Sequence, residues 1–180
     1  FNMKMTAEKC DGGYILNGQK RLVSLAPIAD VILVFANAKP KFGRWGVTAF
    51  LVEKGMKGLT ASPSRNKMGL RTVPIGELNF DNVFVPEENR LGKEGGGLAL
   101  SNHSLEYERC SILASQLGTM ERQLETSVEY AKNRHQFGQP IGKYQSVSNR
   151  IADMKLRIET AKLLLYKTAW LKQQGKSAMM

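Results

Sequence analysis

The hydrophobic period of this chain changes once, at Gly95-Gly96-Gly97, and that change limits the folds open to it. Before the glycines, apolar residues come in short runs broken by turn residues. After them, apolar residues recur every three or four positions over two long stretches. A chain patterned first for strands and then for helices, without alternation, belongs to the architectures that segregate the two. The expected fold is α+β and multi-domain: an antiparallel β-sandwich or barrel over residues 1–92, then the first two long helices of an up-down bundle over 93–180.

In the first part, Tyr14-Ile15-Leu16 runs into Asn17-Gly18, a strong signal for a tight hairpin because both turn positions favour positive φ. Gln19 to Ser24 is then expected to return as the partner strand. Val31 to Phe35 and Val47 to Val52 are apolar, β-branched and bounded by glycine or proline, as buried strands are. Further strands are expected at Glu77 to Phe80 and at Val83 to Val85. In the second part, Leu113, Leu117, Met120, Leu124, Val128 and Ala131 form one helical stripe; Val147, Ile151, Met154, Ile158, Ala161 and Leu165 form another. Arg134 to Lys143 carries Gly138, Pro140 and Gly142 and reads as the loop of an antiparallel pair. Ser177 after Gly175 reads as the cap of a further helix. Two helices that each show an apolar face need more partners, so the chain is expected to be part of a longer protein.

Composition narrows the classes of function. Of 180 residues 42% are apolar, enough for a core. Cys10 and Cys110 stand far apart without a CxxC or Cys/His grouping, and His103 and His135 have no ligand spacing. Neither a disulfide framework nor a metal site is expected, and a reducing compartment is. No stretch approaches the ~20 apolar residues of a membrane span, and the first residues do not form a secretory signal. The net charge of +10 suggests an anionic partner. Its lysines and arginines are spread beside acids without a basic run or aromatic RNA-binding signature, which favours a solvated surface over nucleic-acid binding.

Three segments, in order, carry a resemblance: Gly13-Tyr14-Ile15-Leu16-Asn17-Gly18-Gln19-Lys20; Lys67-Met68-Gly69-Leu70-Arg71 through Phe80-Asp81-Asn82-Val83-Phe84-Val85-Pro86 to Gly92; and Arg134-His135-Gln136-Phe137-Gly138-Gln139-Pro140-Ile141 with Gln145 after it. Together they resemble the acyl-CoA dehydrogenase family. That resemblance implies a helical domain, a middle β domain and a C-terminal four-helix bundle working on FAD in a homodimer or homotetramer. The segment that in relatives precedes Phe1 supplies flavin and thioester contacts, so a polypeptide of this length alone is expected to be inactive. The implied substrate is an acyl thioester of coenzyme A, as in fatty acid metabolism, or of a carrier protein, as in secondary-metabolite relatives that oxidise an aminoacyl group. Arg21 to Asp30 and Glu106-Tyr107-Glu108-Arg109 resemble the latter group. The implied electron acceptor is an electron-transfer flavoprotein or oxygen, and the implied location is the cytoplasm or the mitochondrial matrix.

Such a reaction needs a carboxylate to take the α proton and a flavin to accept the β hydride. In relatives resembling isovaleryl and long-chain dehydrogenases the base directly precedes an arginine on the first long helix, which assigns it to Glu108. On a helix the neighbours of Glu108 are Ser104, Leu105, Ser111 and Ile112, none of them basic, whereas Glu106 has Arg109 at i+3. Glu106 is therefore expected to be paired and Glu108 free, although on the residues alone Glu108 also fits a solvated helix surface. Glu106 and Arg109 are assigned to the substrate cleft. The resemblance further implies cofactor contacts from Leu22, Val23 and Ser24 at a strand end. Relatives often have an aromatic residue and Thr there, and Leu22 departs from that pattern. Arg134, Gln136, Phe137 and Gln145 are implied to reach the FAD of a neighbouring subunit. A family member kept only as a scaffold is the competing reading, and Glu108 argues against it.

Overall fold

A computed structural model describes residues 3–176. They form β1 (Thr6–Cys10), β2 (Gly13–Ser24), β3 (Val31–Asn37), β4 (Val47–Glu53), β5 (Leu59–Ala61), β6 (Ile75–Pro86), β7 (Arg90–Leu91), α1 (Gly97–Asn133), β8 (His135–Gln136), β9 (Gln139–Pro140) and α2 (Gln145–Gln173). The strand-then-helix order expected from the change of period is present. The chain divides after Asn102, within the first turns of α1, into two compact units. Ser177, expected to cap a further helix, lies outside the described residues.

The first unit is a seven-stranded sheet in the order β5-β6-β2-β1-β3-β4-β7. All pairings are antiparallel except β1 with β3, which meet in parallel at Thr6 and Asn37. The sheet is open, with β5 and β7 at its edges, and its strands bury their inward residues in one core. Met5, Tyr14, Leu16, Val34, Phe50, Val52, Leu78, Val83 and Val85 are all buried there. Along β3 burial follows the two-residue period of a strand with one face covered, whereas residues 47–50 of β4 are all buried and alternation begins only at Leu51.

The hairpin expected at Asn17-Gly18 is not there. The turn falls at Asp11-Gly12, with Cys10 opposite Gly13 and Gly12 at φ +73°, and β2 runs straight through Asn17-Gly18. The same dipeptide chemistry serves a bulge instead. Asn17 stands opposite both Asp81 and Asn82, so β6 carries one extra residue, with Asn82 at φ +50°. The Asn17 carboxamide accepts the Asn82 backbone N–H at 2.8 Å and donates to the Asn82 side chain at 3.1 Å. Gly18 lies at φ +133°, and a Cβ there would stand 3.1 Å from Met5 Cα. The strands expected separately at Glu77 to Phe80 and Val83 to Val85 are for this reason one strand, broken in phase rather than in chain direction.

A partly buried polar cluster ties the segment ahead of α1 to the sheet. Tyr14 donates from its hydroxyl to Glu94 at 2.5 Å, and Lys39 pairs with Glu94 at 2.9 Å. Gly95 N–H donates to Thr48 Oγ1 at 2.9 Å. The Tyr14 hydrogen bond, then Lys39, hold the Glu94 carboxyl below its usual range, while burial and then Glu94 push the Tyr14 phenol up.

The second unit is a helical hairpin. Lys162 pairs with Glu121 at 2.7 Å and Lys172 pairs with Glu106, so α1 and α2 run antiparallel. Leu117, Ala131 and Ile158 from the expected stripes are buried, whereas Leu113 and Met120 remain exposed. Two helices alone cannot enclose both stripes.

Candidate active site

Leu22, Val23 and Ser24 end β2, but not as a plain strand. A second bulge places Arg21 and Leu22 opposite the single residue Glu77. Leu22 adopts φ +54° with 68% of its surface exposed. A left-handed backbone costs an L-residue about 1–2 kcal/mol, so an exposed leucine held there is an outlier of the kind found at binding sites. Val23 packs against the core opposite Gly76, and Ser24 is exposed opposite Ile75. Next along the strand, Lys20 points inward and donates to the Met3 thioether at 3.1 Å; burial lowers its pKa.

In the helical hairpin, Glu106, Arg109 and Cys110 line one groove of about 570 Å³ with Leu113 and Met120 from α1 and Leu165 from α2. Glu106 is paired, but not with Arg109 as expected. Its partner is Lys172 on α2, and both side chains are largely buried, with 15% and 12% of their surface exposed. The reason is positional. Glu106 lies seven residues before Leu113, and Lys172 seven after Leu165, so each extends the stripe that faces the other helix. An ion pair between facing stripes is more shielded from water than an exposed i,i+3 pair, which contributes a few tenths of a kcal/mol. A glutamate and a lysine at stripe positions near opposite ends of the two helices were the signal in the sequence for Lys172.

Glu108, two residues on, is exposed. None of the ion pairs among the described residues engages Glu108, Arg109 or Arg134. Glu108 is thus outside the ion pairs of the described residues, and the pairing that sets Glu106 apart is a different one from that expected.

The loop from Arg134 to Lys143 contains a feature that periodicity did not show. Strands β8 and β9 pair His135 with Pro140 and Gln136 with Gln139 around a two-residue turn at Phe137-Gly138. Both turn residues have positive φ, +51° and +78°, the requirement of a mirror-image hairpin turn. Phe137 is 94% exposed. Ile141 N–H closes on Arg134 O at 2.8 Å, and the Tyr144 hydroxyl donates to Gln136 O at 2.9 Å. Arg134, Gln136, Phe137 and Gln145 are all exposed at this end of the hairpin. Glu108 lies about 40 Å of helix away, at a rise of ~1.5 Å per residue.

Comparison with known proteins identifies both parts of the chain. Residues 1–83 match the model "Acyl-CoA dehydrogenase, middle domain", and residues 95–180 match "Acyl-CoA dehydrogenase, C-terminal domain". The chain belongs to the acyl-CoA dehydrogenase family. It is 47% identical over 178 residues to an L-prolyl-[peptidyl-carrier protein] dehydrogenase of Serratia sp. (strain ATCC 39006), covering 99% of this chain and 46% of that protein. It is 41% identical to the mitochondrial isovaleryl-CoA dehydrogenase of Arabidopsis thaliana, covering 93% and 41%. The solved structure described as PigA with FAD and proline superposes with a TM-score of 0.93 at 46% identity, covering 98% of this chain and 46% of that one. The chain spans about half the length of the relatives it matches.

Proposed function

We propose that this chain is the part of a FAD-dependent thioester dehydrogenase that carries the catalytic base. The full-length protein oxidises Cα–Cβ of a prolyl-like aminoacyl group held on a carrier protein. The observation that carries this reading is the division of roles within one helical turn. Glu106 is paired with Lys172, whereas Glu108 is exposed and outside every ion pair among the described residues. A carboxylate held by Lys172 is not free to approach the substrate, whereas an unpaired one is. Glu108 takes the proton from Cα, and Arg109, in the groove with Glu106, steadies the thioester. Bound FAD supplies the acceptor for the hydride leaving Cβ.

The chain's own residues suit that cofactor. Leu22 and Phe137 are apolar, exposed and held at positive φ, which fits ring contact. Ser24 offers a hydroxyl beside Leu22, with the Val23 backbone between them. Arg134 has a guanidinium outside the described ion pairs, with Gln136 and Gln145 exposed near it. The length of helix between Glu108 and Arg134 exceeds the span of an extended dinucleotide, so one FAD draws these residues from two subunits of a homodimer or homotetramer. We take the border between the β and helical domains between residues 92 and 93, and place the protein in the cytoplasm. Oxygen or an electron-transfer flavoprotein reoxidises the flavin.

The carrier-bound substrate is favoured over a coenzyme A ester by the higher identity to the prolyl-carrier enzyme than to the isovaleryl-CoA enzyme. The test is anaerobic flavin bleaching in the full-length holoenzyme by prolyl-carrier thioester, with prolyl-CoA for comparison. Glu108→Gln is expected to keep yellow flavin and bind substrate while losing ~10²–10⁴-fold in the rate of bleaching. An unchanged rate would put the base elsewhere in the protein, and bleaching by the CoA ester alone would reassign the substrate.

A further inference from the structure

The Lys172 ammonium does two things at once. It pairs with the Glu106 carboxylate and lies 4.9 Å from the centre of the Tyr107 ring. Tyr107 in turn meets His103 edge to face at 5.2 Å. Two consecutive side chains of α1 leave the helix about 100° apart, so one cation gripping both fixes the rotation of that turn as well as its distance from α2. A single ion pair constrains the rotation of that turn less than two contacts on neighbouring side chains do. Glu108 is the next residue, and nothing among the described ion pairs holds its own side chain.

We infer that Lys172 is a positioning residue for the reaction: gripping Glu106 and Tyr107 together, it sets the rotation of α1 that aims Glu108 at the substrate's α carbon. This rests on the assignment of Glu108 as base and deepens it. Lys172 acts from the facing helix and does not itself touch the reacting atoms. Its grip also neutralises Glu106, the nearest carboxylate to Glu108 along the chain, so the charge beside the base is fixed together with its direction. Within the described part of this groove the other ionisable groups are Arg109 and Cys110 on α1. Neither pairs with Glu106, and the setting therefore depends on α2.

Misplacing a reacting group by about an ångström costs on the order of 10²-fold. In the full-length holoenzyme, Lys172→Met is expected to slow flavin reduction by saturating substrate ~10–100-fold, with KM changed less than about twofold and flavin retained. Lys172→Arg, which keeps a cation and can stack on Tyr107, is expected to recover most of the rate. Wild-type flavin reduction in Lys172→Met would overturn the inference. So would a loss shared equally between kcat and KM and not recovered by arginine, which is the behaviour of a packing defect. Should Lys172→Met not fold, the double variant Glu106→Gln with Lys172→Met, which leaves no unpaired buried charge, is expected to fold and show the same isolated loss in kcat; a wild-type kcat there would overturn the inference as well. Glu108→Gln, measured alongside, separates the two levels. If it loses flavin reduction while Lys172→Met does not, only the positioning role falls; if Glu108→Gln keeps full activity, the base assignment falls and takes the positioning role with it.

Discussion

Glu94 shows how much one side chain can hold in this fold. It accepts from the buried Tyr14 hydroxyl and pairs with Lys39, joining three separate parts of the β unit. Because its folded carboxyl sits below the ordinary range, its contribution to stability is complete above that range and is lost as pH falls through the depressed value. Tyr14 bounds the other side. Its phenol is raised, so its contribution is present below the ordinary tyrosine value and is lost as pH climbs through the higher folded one. The melting temperature of Glu94→Gln is expected to be lower than wild type at neutral pH and to change less on acidification below about pH 4.5, the ordinary value for the group. Parallel acid limbs for the two proteins would show that the stability lost on acidification comes from other carboxylates.

At the scale of elements, the turn at Phe137-Gly138 combines a left-handed backbone with an exposed ring. Phe137 at φ +51° carries the cost of a left-handed residue, and no burial of its ring among the described residues offsets it. Phe137→Gly is expected to raise the stability of the apo chain by about 1 kcal/mol, read from denaturant midpoints. In the full-length protein the same change is expected to weaken flavin retention through gel filtration. Equal retention would remove Phe137 from the cofactor site. The elements also show what the sequence could and could not tell. Strands β3 and β4 were legible from apolar, β-branched runs between turn residues, and both helices from their three-and-four repeat, although that stripe is only partly covered in the helical hairpin. Asn17-Gly18 misled because its chemistry, tolerance of positive φ with a side-chain amide to bond the backbone, serves a bulge as well as a turn. Only the partner strand decides between them. The hairpin of β8 and β9 is too short for any period, and Lys172 was hidden because a lysine at a stripe position carries meaning only once the facing glutamate is known.

For the whole molecule, the distance along α1 from Glu108 to Arg134 has a consequence for subunit mixing. If each site takes its base from one subunit and its guanidinium from another, a dimer of one Glu108→Gln subunit and one Arg134→Ala subunit contains one site with both defects and one with neither. Neither variant alone has an intact site. Mixing the two inactive full-length proteins under conditions that exchange subunits is therefore expected to restore up to about half of wild-type turnover per mixed dimer. No recovery after verified exchange would mean that Glu108 and Arg134 serve the same site from one chain.

The two bulges in the long ribbon of β2 and β6 cancel. Asn82 adds a residue to one strand, and the bulge at Arg21-Leu22 adds one to the other, so the pairing slips by one residue between them and is restored beyond. Both strands are twelve residues long and keep their ends level. Only the stretch from Gly18 to Lys20 is out of step, and within it Leu78 and Phe80 still point into the core. The irregularity that turns Leu22 outward is thus confined, and neither end of the ribbon has to move to accommodate it. In an evolving lineage, a matched pair of single-residue deletions, one from each strand, would erase the exposed kink and leave the surrounding sheet in register. Losing either residue alone would carry the mismatch to the end of the ribbon. The outline of the sheet at Leu22 is free to diverge by compensated length changes, a route closed to strands that pair without a break.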